Sequence, residues 1–486
     1  MFKTIQKTWP ADKDYADRTY RLNILTKVLK GELYDNLPSA FHDEKNNAGE
    51  YVPLRQRRPS VRYPLCRMVV DDSVSLLFSE GHFPAITSKD EAAQDALVEL
   101  ANELCLNKVF IDAATRGSVG SVAIMLRVLK ERPFIEVMET LYLTPIWKPD
   151  APDTLDRIEE RYKVKGKALK NLGYPIKDDE AQVDFWFARD FTETEEIWYL
   201  PLKVSDKKEG KPFARDDGEG KSVKHNLGFV PVVWIKNLPG GNEIDGCPTL
   251  HDEAIETSIE IDYQLSQAGR GLKYSADPTL LIKEPAFGSQ TKTGGAANAI
   301  VVSAEGDAKM LEINGSAAEA VIEYVRFLRE IALESLHGNR ANAEKQSSAP
   351  SGRALEMMNQ ALIWLADKLR ISYGEGGLRD LLTMLVKAHA KIPLKLKNGK
   401  RIPAIPESTE IGLRWPKWYP QTPEDLQTMA GTLQTLVDAG LMSRQTAINV
   451  LATEYDIADP VAEKALADAE LKQRNADAQA QVKITE

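Results

Sequence analysis

The sequence predicts an α+β protein, on three observations. Apolar residues recur at helical spacing over 20–30, 63–78 and 91–114. The period shifts towards two between Phe185 and Trp234. From about Leu250 to Lys391 helical patterns return, interrupted by a short insertion that can form strands.

Composition sets the outer limits. A chain of 486 residues exceeds what one core usually serves, so two or more structural units are expected. Hydrophobic residues make up 43% and charged residues 28%, an ordinary globular balance. No run approaches the roughly 18 apolar residues of a membrane span, and the start of the chain carries Lys3 and Lys7 without an apolar stretch behind them. A soluble protein made in a cytoplasm is expected. Cys66, Cys105 and Cys247 lie far apart, which suits neither a disulfide framework nor a zinc site. The formal net charge is -10. A protein that grips nucleic acid usually carries a basic domain or stripe, and the overall balance does not provide one.

Each element has a local reason. Leu22, Leu25 and Leu29 mark a helix over 20–30, and the polar stretch 42–50 reads as an exposed loop. Met68, Val69 and Leu76 fit a helix over 63–78, closed by Gly81 and Pro84. Leu97, Leu100, Leu104 and Val109 predict one helix over 91–114. Residues 122–128 and 135–137 are strand candidates, as are the segments around Phe185, Ile197 and Val232. The charged loop 206–224 between two of these is expected to move.

Beyond residue 250 the pattern is helical again. Ile255, Ile259 and Leu265 lie on successive turns of a helix over 251–272, with Asp252, Glu253, Glu256 and Glu260 near its start, where the helix dipole favours acids. Strand candidates follow at 279–282, 299–302 and 310–313. A return helix carries Val321, Val325, Leu328, Leu333 and Leu336, and Gly338 stops it. Residues 339–350 read as a flexible polar loop. The next helix runs from Ser351 to about Tyr373, and Gly374-Glu375-Gly376-Gly377 should kink or break it before it resumes over 378–390. Strand character returns at Ile411, Leu413 and Trp415. Thr422-Pro423-Glu424-Asp425 starts a helix with a cap, a first-turn proline and acids, Ser443 and Asp459-Pro460 start two more, and the tail over 463–486 is a polar helix expected to fray.

Enzyme readings fail on their own requirements. A phosphate-binding loop needs a glycine five residues before Gly220-Lys221-Ser222, and Arg215 stands there. Gly117-Ser118-Val119-Gly120 lacks the third glycine and the later acid of a dinucleotide fingerprint. None of His42, His82, His225, His251, His337 and His389 forms a metal-binding pair. His251-Asp252-Glu253 reads as a helix start. Asp71-Asp72 and Asp178-Asp179-Glu180 are acidic clusters of the kind that hold magnesium in nucleases, but no basic motif accompanies them. No catalytic residue, metal or cofactor is expected.

Several strings, in their order, resemble the portal (head-to-tail connector) proteins of tailed bacteriophages. They are residues 62–71 leading to Phe78-Ser79-Glu80-Gly81, the Leu227-Gly228-Phe229-Val230-Pro231 strand, Ser351-Gly352-Arg353-Ala354-Leu355, and 439–446 with Asp456-Ile457. The resemblance implies a wing over 1–248 with 392–420 returning to it, stem helices at 249–273 and 316–338, a clip at 274–315, a tunnel loop at 339–350, a long kinked helix at 351–391 and a crown at 421–486. It also implies a homo-oligomeric, dodecameric ring at one capsid vertex of the virion, assembled in the host cytoplasm. Double-stranded DNA would pass through it in packaging and ejection, weakly held. Further partners would be the terminase motor, the major capsid and scaffold proteins, and later head-completion and tail adaptor proteins. Asn339, Arg340, Asn342, Lys345, Gln346 and Ser347 would face the DNA, and Gln290, Lys292 and Thr293 would meet motor or adaptor. Two rivals remain: another virion protein, such as a minor head or connector protein, and a DNA-processing enzyme with an acidic metal site.

Overall fold

Every position from Ser121 to Leu126 is buried, so this strand needs packing on both of its faces. A computed structural model shows what supplies it. The structure describes residues 1–40, 45–207, 212–218, 221–276, 279–285, 302–311, 316–337, 356–357, 359–419, 423–454, 461–470 and 472–473. They fall into two compact units: Met1–Arg340 with Ala361–Pro416, and Ala341–Gln360 with Lys417–Glu486.

The main helices of the first unit are α1 (Asp17–Lys30), α2 (Leu65–Phe78), α3 (Glu91–Glu103), α4 (Leu106–Gly117), α5 (Asp252–Ala276), α6 (Ser316–Ser335), α7 (Gln360–Leu369) and α8 (Arg379–Lys391). Its main strands are β1 (Ser121–Leu129), β2 (Arg132–Glu139), β3 (Leu143–Lys148), β4 (Ala151–Lys165), β5 (Asp184–Phe191), β6 (Glu195–Trp198), β7 (Val223–Lys224), β8 (Val232–Lys236), β9 (Thr279–Pro285) and β10 (Val302–Leu311). The mixture of helices and antiparallel sheets is the α+β class that the periodicity predicts.

Two sheets face each other. In one, β1 lies between β8 and β2, all antiparallel, with Val232 opposite Met125 and Ile124 opposite Val137. The other runs β7-β6-β5-β4-β3. Ala123, Met125, Val232 and Trp234 from the first meet Leu143, Ile158 and Phe191 from the second in one core cluster. Side chains alternate along a strand, so Val122, Ile124 and Ile235 point the other way, towards helices. Arg18 of α1 ties this arrangement together. Its guanidinium forks onto Asp245 at 2.6 and 2.8 Å and also donates to the carbonyls of Thr140 and Leu143. A bidentate, half-buried pair of this kind fixes orientation as well as contributing energy.

The long strand β4 has no counterpart among the strand candidates read from sequence. Asp156, Arg157, Glu159, Glu160, Arg161 and Lys163 deny it an apolar alternation. The ladder to β5 and cross-strand ion pairs hold it instead: Arg189 meets Glu160 at 2.7 Å and Arg161 meets Asp190 at 2.7 Å. The single helix expected over 91–114 is two. Cys105, at φ 49°, adopts the left-handed conformation and separates α3 from α4. The described parts of the charged loop 206–224 make contacts with β6. Arg215 grips Glu195 at 3.0 and 2.8 Å, and Asp216 N–H donates to Trp198 at 2.7 Å.

Two findings concern the region after residue 250. Of the strand candidates at 279–282, 299–302 and 310–313, the first lies in β9 and the described parts of the other two lie in β10; 299–301 and 312–313 lie outside the described residues. β9 and β10 pair antiparallel, with a register shift between Lys283 and Pro285. Glu305-Gly306 coincides with that shift: the ladder holds Lys283 opposite Asp307 and next pairs Pro285 with Val302. The glycines at 374–377 do not break the long helix. A π-helical stretch, Arg370–Leu378, joins α7 to α8 without interruption.

The glycines serve close approach instead. A Cβ on Gly377 would lie 2.8 Å from Ile235 Cδ1, and one on Gly374 would lie 2.4 Å from the Trp415 ring. Gly117 at the end of α4 returns the favour: a Cβ there would collide with the Tyr373 hydroxyl. Strand Gly412–Arg414 then pairs with Ala85–Thr87, which fixes Trp415 beside Phe78 at 5.9 Å between rings.

The described elements of the second unit are helices joined by turns. α9 (Pro423–Asp438) begins at the expected proline, and Ser443 caps α10 (Arg444–Glu454) by accepting from Thr446 N–H at 3.1 Å. Residues 461–470 are helical as well.

The helix–sheet contact makes a paired prediction. Gly377→Ala forces a methyl into Ile235 and should destabilise the first unit by about 1–3 kcal/mol. Gly376→Ala, exposed and with nothing nearer than 3.8 Å, should be neutral or stabilise by up to about 1 kcal/mol. Chemical denaturation of the two variants checks the contrast.

Candidate functional site

α5 docks on the rest of the first unit through one apolar stripe. Ala254, Ile255, Ile259 and Ile261 are buried. One buried carboxylate then sets its register. Asp262 accepts from Tyr63 N–H at 2.6 Å and from the Tyr34 hydroxyl at 2.8 Å. One turn on, Ser266 Oγ accepts from Val61 N–H at 2.9 Å, and the Tyr263 hydroxyl donates to the carbonyl of Arg57. Backbone groups of the 57–63 segment, which would otherwise be buried unpaired, are satisfied from α5.

Burial dominates the electrostatics here. It pushes the Asp262 carboxyl up to about 6, against the opposing pull of its two hydrogen bonds and of Arg62. It raises the Cys66 thiol to about 12, so that cysteine is inert at neutral pH. The Tyr34 hydroxyl is raised as well, by burial and by Asp262.

α6 packs along α5. Ala332, Leu333 and Leu336 are buried, whereas Tyr324, Phe327 and Ile331, three and four residues apart on one face, are 44%, 58% and 41% exposed. The long helix shows a similar feature: Trp364 and Ile371, seven residues apart, are 56% and 64% exposed.

The long helix is fixed to the first sheet by a buried hydrogen-bond node. The Tyr373 hydroxyl donates to Asn237 Oδ1 at 3.0 Å. Asn237 Nδ2 donates to the Cys247 carbonyl at 2.9 Å and to Thr249 Oγ1 at 3.0 Å. Asn237 is fully buried, and full burial raises the Tyr373 hydroxyl far above its usual range. The node leads straight into α5, which begins three residues after Thr249.

The residues expected to face DNA, Asn339, Arg340, Asn342, Lys345, Gln346 and Ser347, and those expected to meet motor or adaptor, Gln290, Lys292 and Thr293, lie outside the described residues. The acidic clusters are placed. Asp252 and Glu253 sit in the first turn of α5 behind His251. Asp71 pairs with Arg67 on α2 at 2.8 Å. Asp178 pairs with Lys170, and Glu180 with Lys203 at 2.6 Å. Lys221 of the failed phosphate-loop string stacks on Tyr174 at 4.0 Å and donates to the Leu172 carbonyl. Among the described residues no group of three or more His, Cys, Asp or Glu side chains could hold a metal, and no helix is long and apolar enough to cross a membrane.

One charged feature escaped the sequence reading. Between Lys387 and Arg401 the chain carries six Lys and Arg and no Asp or Glu. The overall acidity masked it, and a charge sum over a short window reveals it. The segment ends α8 and then doubles back, Lys395 bridging to Arg401, through a turn with Gly399 at φ +84°.

A family model described as phage portal protein, SPP1 Gp6-like, matches residues 11–479. No curated protein matches the chain. Among solved structures, a chain from the neck of an empty GTA particle is 12% identical, with 80% of this chain and 88% of that chain covered and a TM-score of 0.37. A chain from the virion of a native gene transfer agent particle is 13% identical, with 81% and 95% covered and a TM-score of 0.37.

The Asp262 anchor predicts a pH dependence. Its folded-state value lies above the 3.8 of a free aspartate, so its contribution to stability is fully present below about 3.8 and is lost as pH rises through about 6. The loss amounts to about 3 kcal/mol. Other carboxylates titrate too, so the measurement is the stability difference between wild type and Asp262→Asn at pH 4 and pH 7. That difference should shift by about this amount against wild type, and a flat difference would show the carboxylate to be solvated.

Proposed function

The chain belongs to the phage portal protein family of the SPP1 Gp6-like type, and on that premise we propose that it forms a homo-oligomeric ring, expected to be dodecameric, at one vertex of the capsid. The family is one of virion structural proteins. Through the ring double-stranded DNA would enter during packaging and leave during ejection. The terminase motor would dock first, and head-completion and tail adaptors later; capsid and scaffold proteins would surround it. The protein acts as a structural channel, without cofactor or catalytic group. The observation that carries the reading is the family match over residues 11–479.

Several local features support it. A helix pair, α5 and α6, brackets the β9–β10 hairpin, the order expected of stem, clip and stem. The hairpin is a two-stranded sheet with no third strand among the described residues, and such a sheet gains from a neighbour. The exposed Tyr324, Phe327 and Ile331 suit contact between subunits, because a closed head-to-tail ring needs surfaces that a lone subunit leaves open. The pairing of Gly412–Arg414 with Ala85–Thr87 supports the return of 392–420 to the wing over 1–248. The crown is assigned to 421–486, the tunnel loop to 339–350 and the long helix to 351–391.

Negative-stain images of the purified protein should show closed rings with a central hole; a monomer at every concentration would refute the reading. Deleting residues 343–348 should leave rings intact while DNA packaging or retention falls by at least about tenfold. Intact rings with unchanged packaging and retention would remove Asn339, Arg340, Asn342, Lys345, Gln346 and Ser347 from the DNA path. Pull-down of terminase by rings carrying substitutions at Gln290, Lys292 and Thr293 checks the clip in the same way.

A further inference from the structure

The cation-only stretch at the end of α8 is not an isolated run. Its hairpin lies against the β1–β2 turn: Lys395 N–H donates to the Glu131 carbonyl at 2.7 Å, and the Lys395 ammonium pairs with the Glu131 carboxylate. The two turns therefore stand side by side. In the first, Lys130 and Glu131 adopt φ 50° and 65°, a conformation that ordinarily selects Gly, Asn or Asp. In the second, Gly399 takes the left-handed position and Asn398 Oδ1 accepts from Lys400 N–H at 2.8 Å. Each turn holds a lysine at its tip, and the first does so at a cost in backbone strain.

The charge here does not cancel. Glu131 answers Lys395, Glu99 answers Lys400 at 2.6 Å, and the Glu103 carboxylate accepts from Lys397 N–H at 2.6 Å, which leaves three of the six cations of the two turns and the end of α8 in excess. Lys130, Lys391 and Lys397 have no ion pair among the described residues, and all three are exposed, as is Arg401. Meanwhile the apolar side chains of the hairpin, Leu394, Leu396, Ile402 and Ile405, are buried at 0–5% exposure. The surface thus offers long, solvated cations and little apolar anchor. Phe134 nearby lies under Arg132, at 5.2 Å, and Leu129 and Val98 are the exposed apolar residues next to Lys130 and Glu99.

A protein partner needs a packed apolar centre that excludes water. A phosphate backbone needs only several cations that can reach it, and gains from releasing its own counterions. We propose that the paired turns at Lys130 and at Lys397–Arg401 form a sequence-independent binding surface for the phosphate backbone of duplex DNA, separate from the expected tunnel loop. The surface belongs to one chain and does not depend on the ring reading.

The test uses the full chain, a fluorescent 20-base-pair duplex and salt titration. Lys130→Gln, Lys397→Gln and Arg401→Gln together should weaken binding by at least about tenfold near 0.1 M salt and reduce the slope of log affinity against log salt by about three. The exposed control set Lys3→Gln, Lys7→Gln and Lys13→Gln removes the same charge elsewhere and should change neither quantity. Equal losses in both sets would reduce the effect to net charge and overturn the proposal. So would an unchanged slope in the first set, or tighter binding of polyglutamate than of duplex, which would mark the surface as one for an acidic protein. Images of the same samples report ring formation separately. Rings without patch-dependent DNA binding would refute this inference alone; patch-dependent binding without rings would refute only the ring.

Discussion

The first unit depends on how closely one helix can approach one sheet. Gly377 of the π-helical stretch, and Gly117 facing it, remove the side chains that would hold helix, α4 and sheet apart, while Gly374 makes room for the Trp415 ring. Tyr373 fills the space so made and ends on Asn237. In that contact dispersion and hydrogen bonding act together. The glycines allow short distances, and the Asn237 amide keeps the buried hydroxyl and the Cys247 carbonyl from being orphaned. From this point the chain leads into α5 in one direction and, through Trp415, into the Ala85–Thr87 pairing in the other.

Around this contact the protein uses charge in three ways. Inside, charges are paired and geometric: Arg18 with Asp245, and Arg189 with Glu160. At the α5 anchor a single carboxylate is buried with neutral donors only, and its ionisation is correspondingly hindered. At the paired turns, cations are left unanswered in an acidic protein. Net charge describes none of these. It reports the solvated remainder, whereas each local arrangement depends on what shares its immediate surroundings.

How far the sequence could be read follows from where each signal is stored. Helix starts were legible because caps are local: Pro423 and Ser443 stand where chemistry expects them. The buried strands β1 and β8 were legible through their apolar runs. β4 was not, because ladder hydrogen bonds and cross-strand pairs such as Arg161 with Asp190 leave no trace in hydrophobicity. The break at Cys105 was hidden too, since the leucines on either side keep helical spacing while only a backbone angle changes. For the candidate site the family resemblance came from ordered strings and held. The cation-only stretch was in plain view but was averaged away with the rest of the chain.

The π-helical stretch also has a meaning in angular phase. From Leu369 the buried stripe repeats every fourth residue, through Tyr373, Gly377, Leu381 and Leu385. An α-helix advances about 100° per residue, so every four-residue step would overshoot a full turn by about 40° and the stripe would wind off the sheet. A π-helix bonds to the fifth residue and rotates less at each step. The stretch Arg370–Leu378 works like a vernier that takes up this drift, so a straight sheet can be met by one continuous helix. The identity of an exposed residue within it matters little; its number of residues sets the rotation of everything that follows.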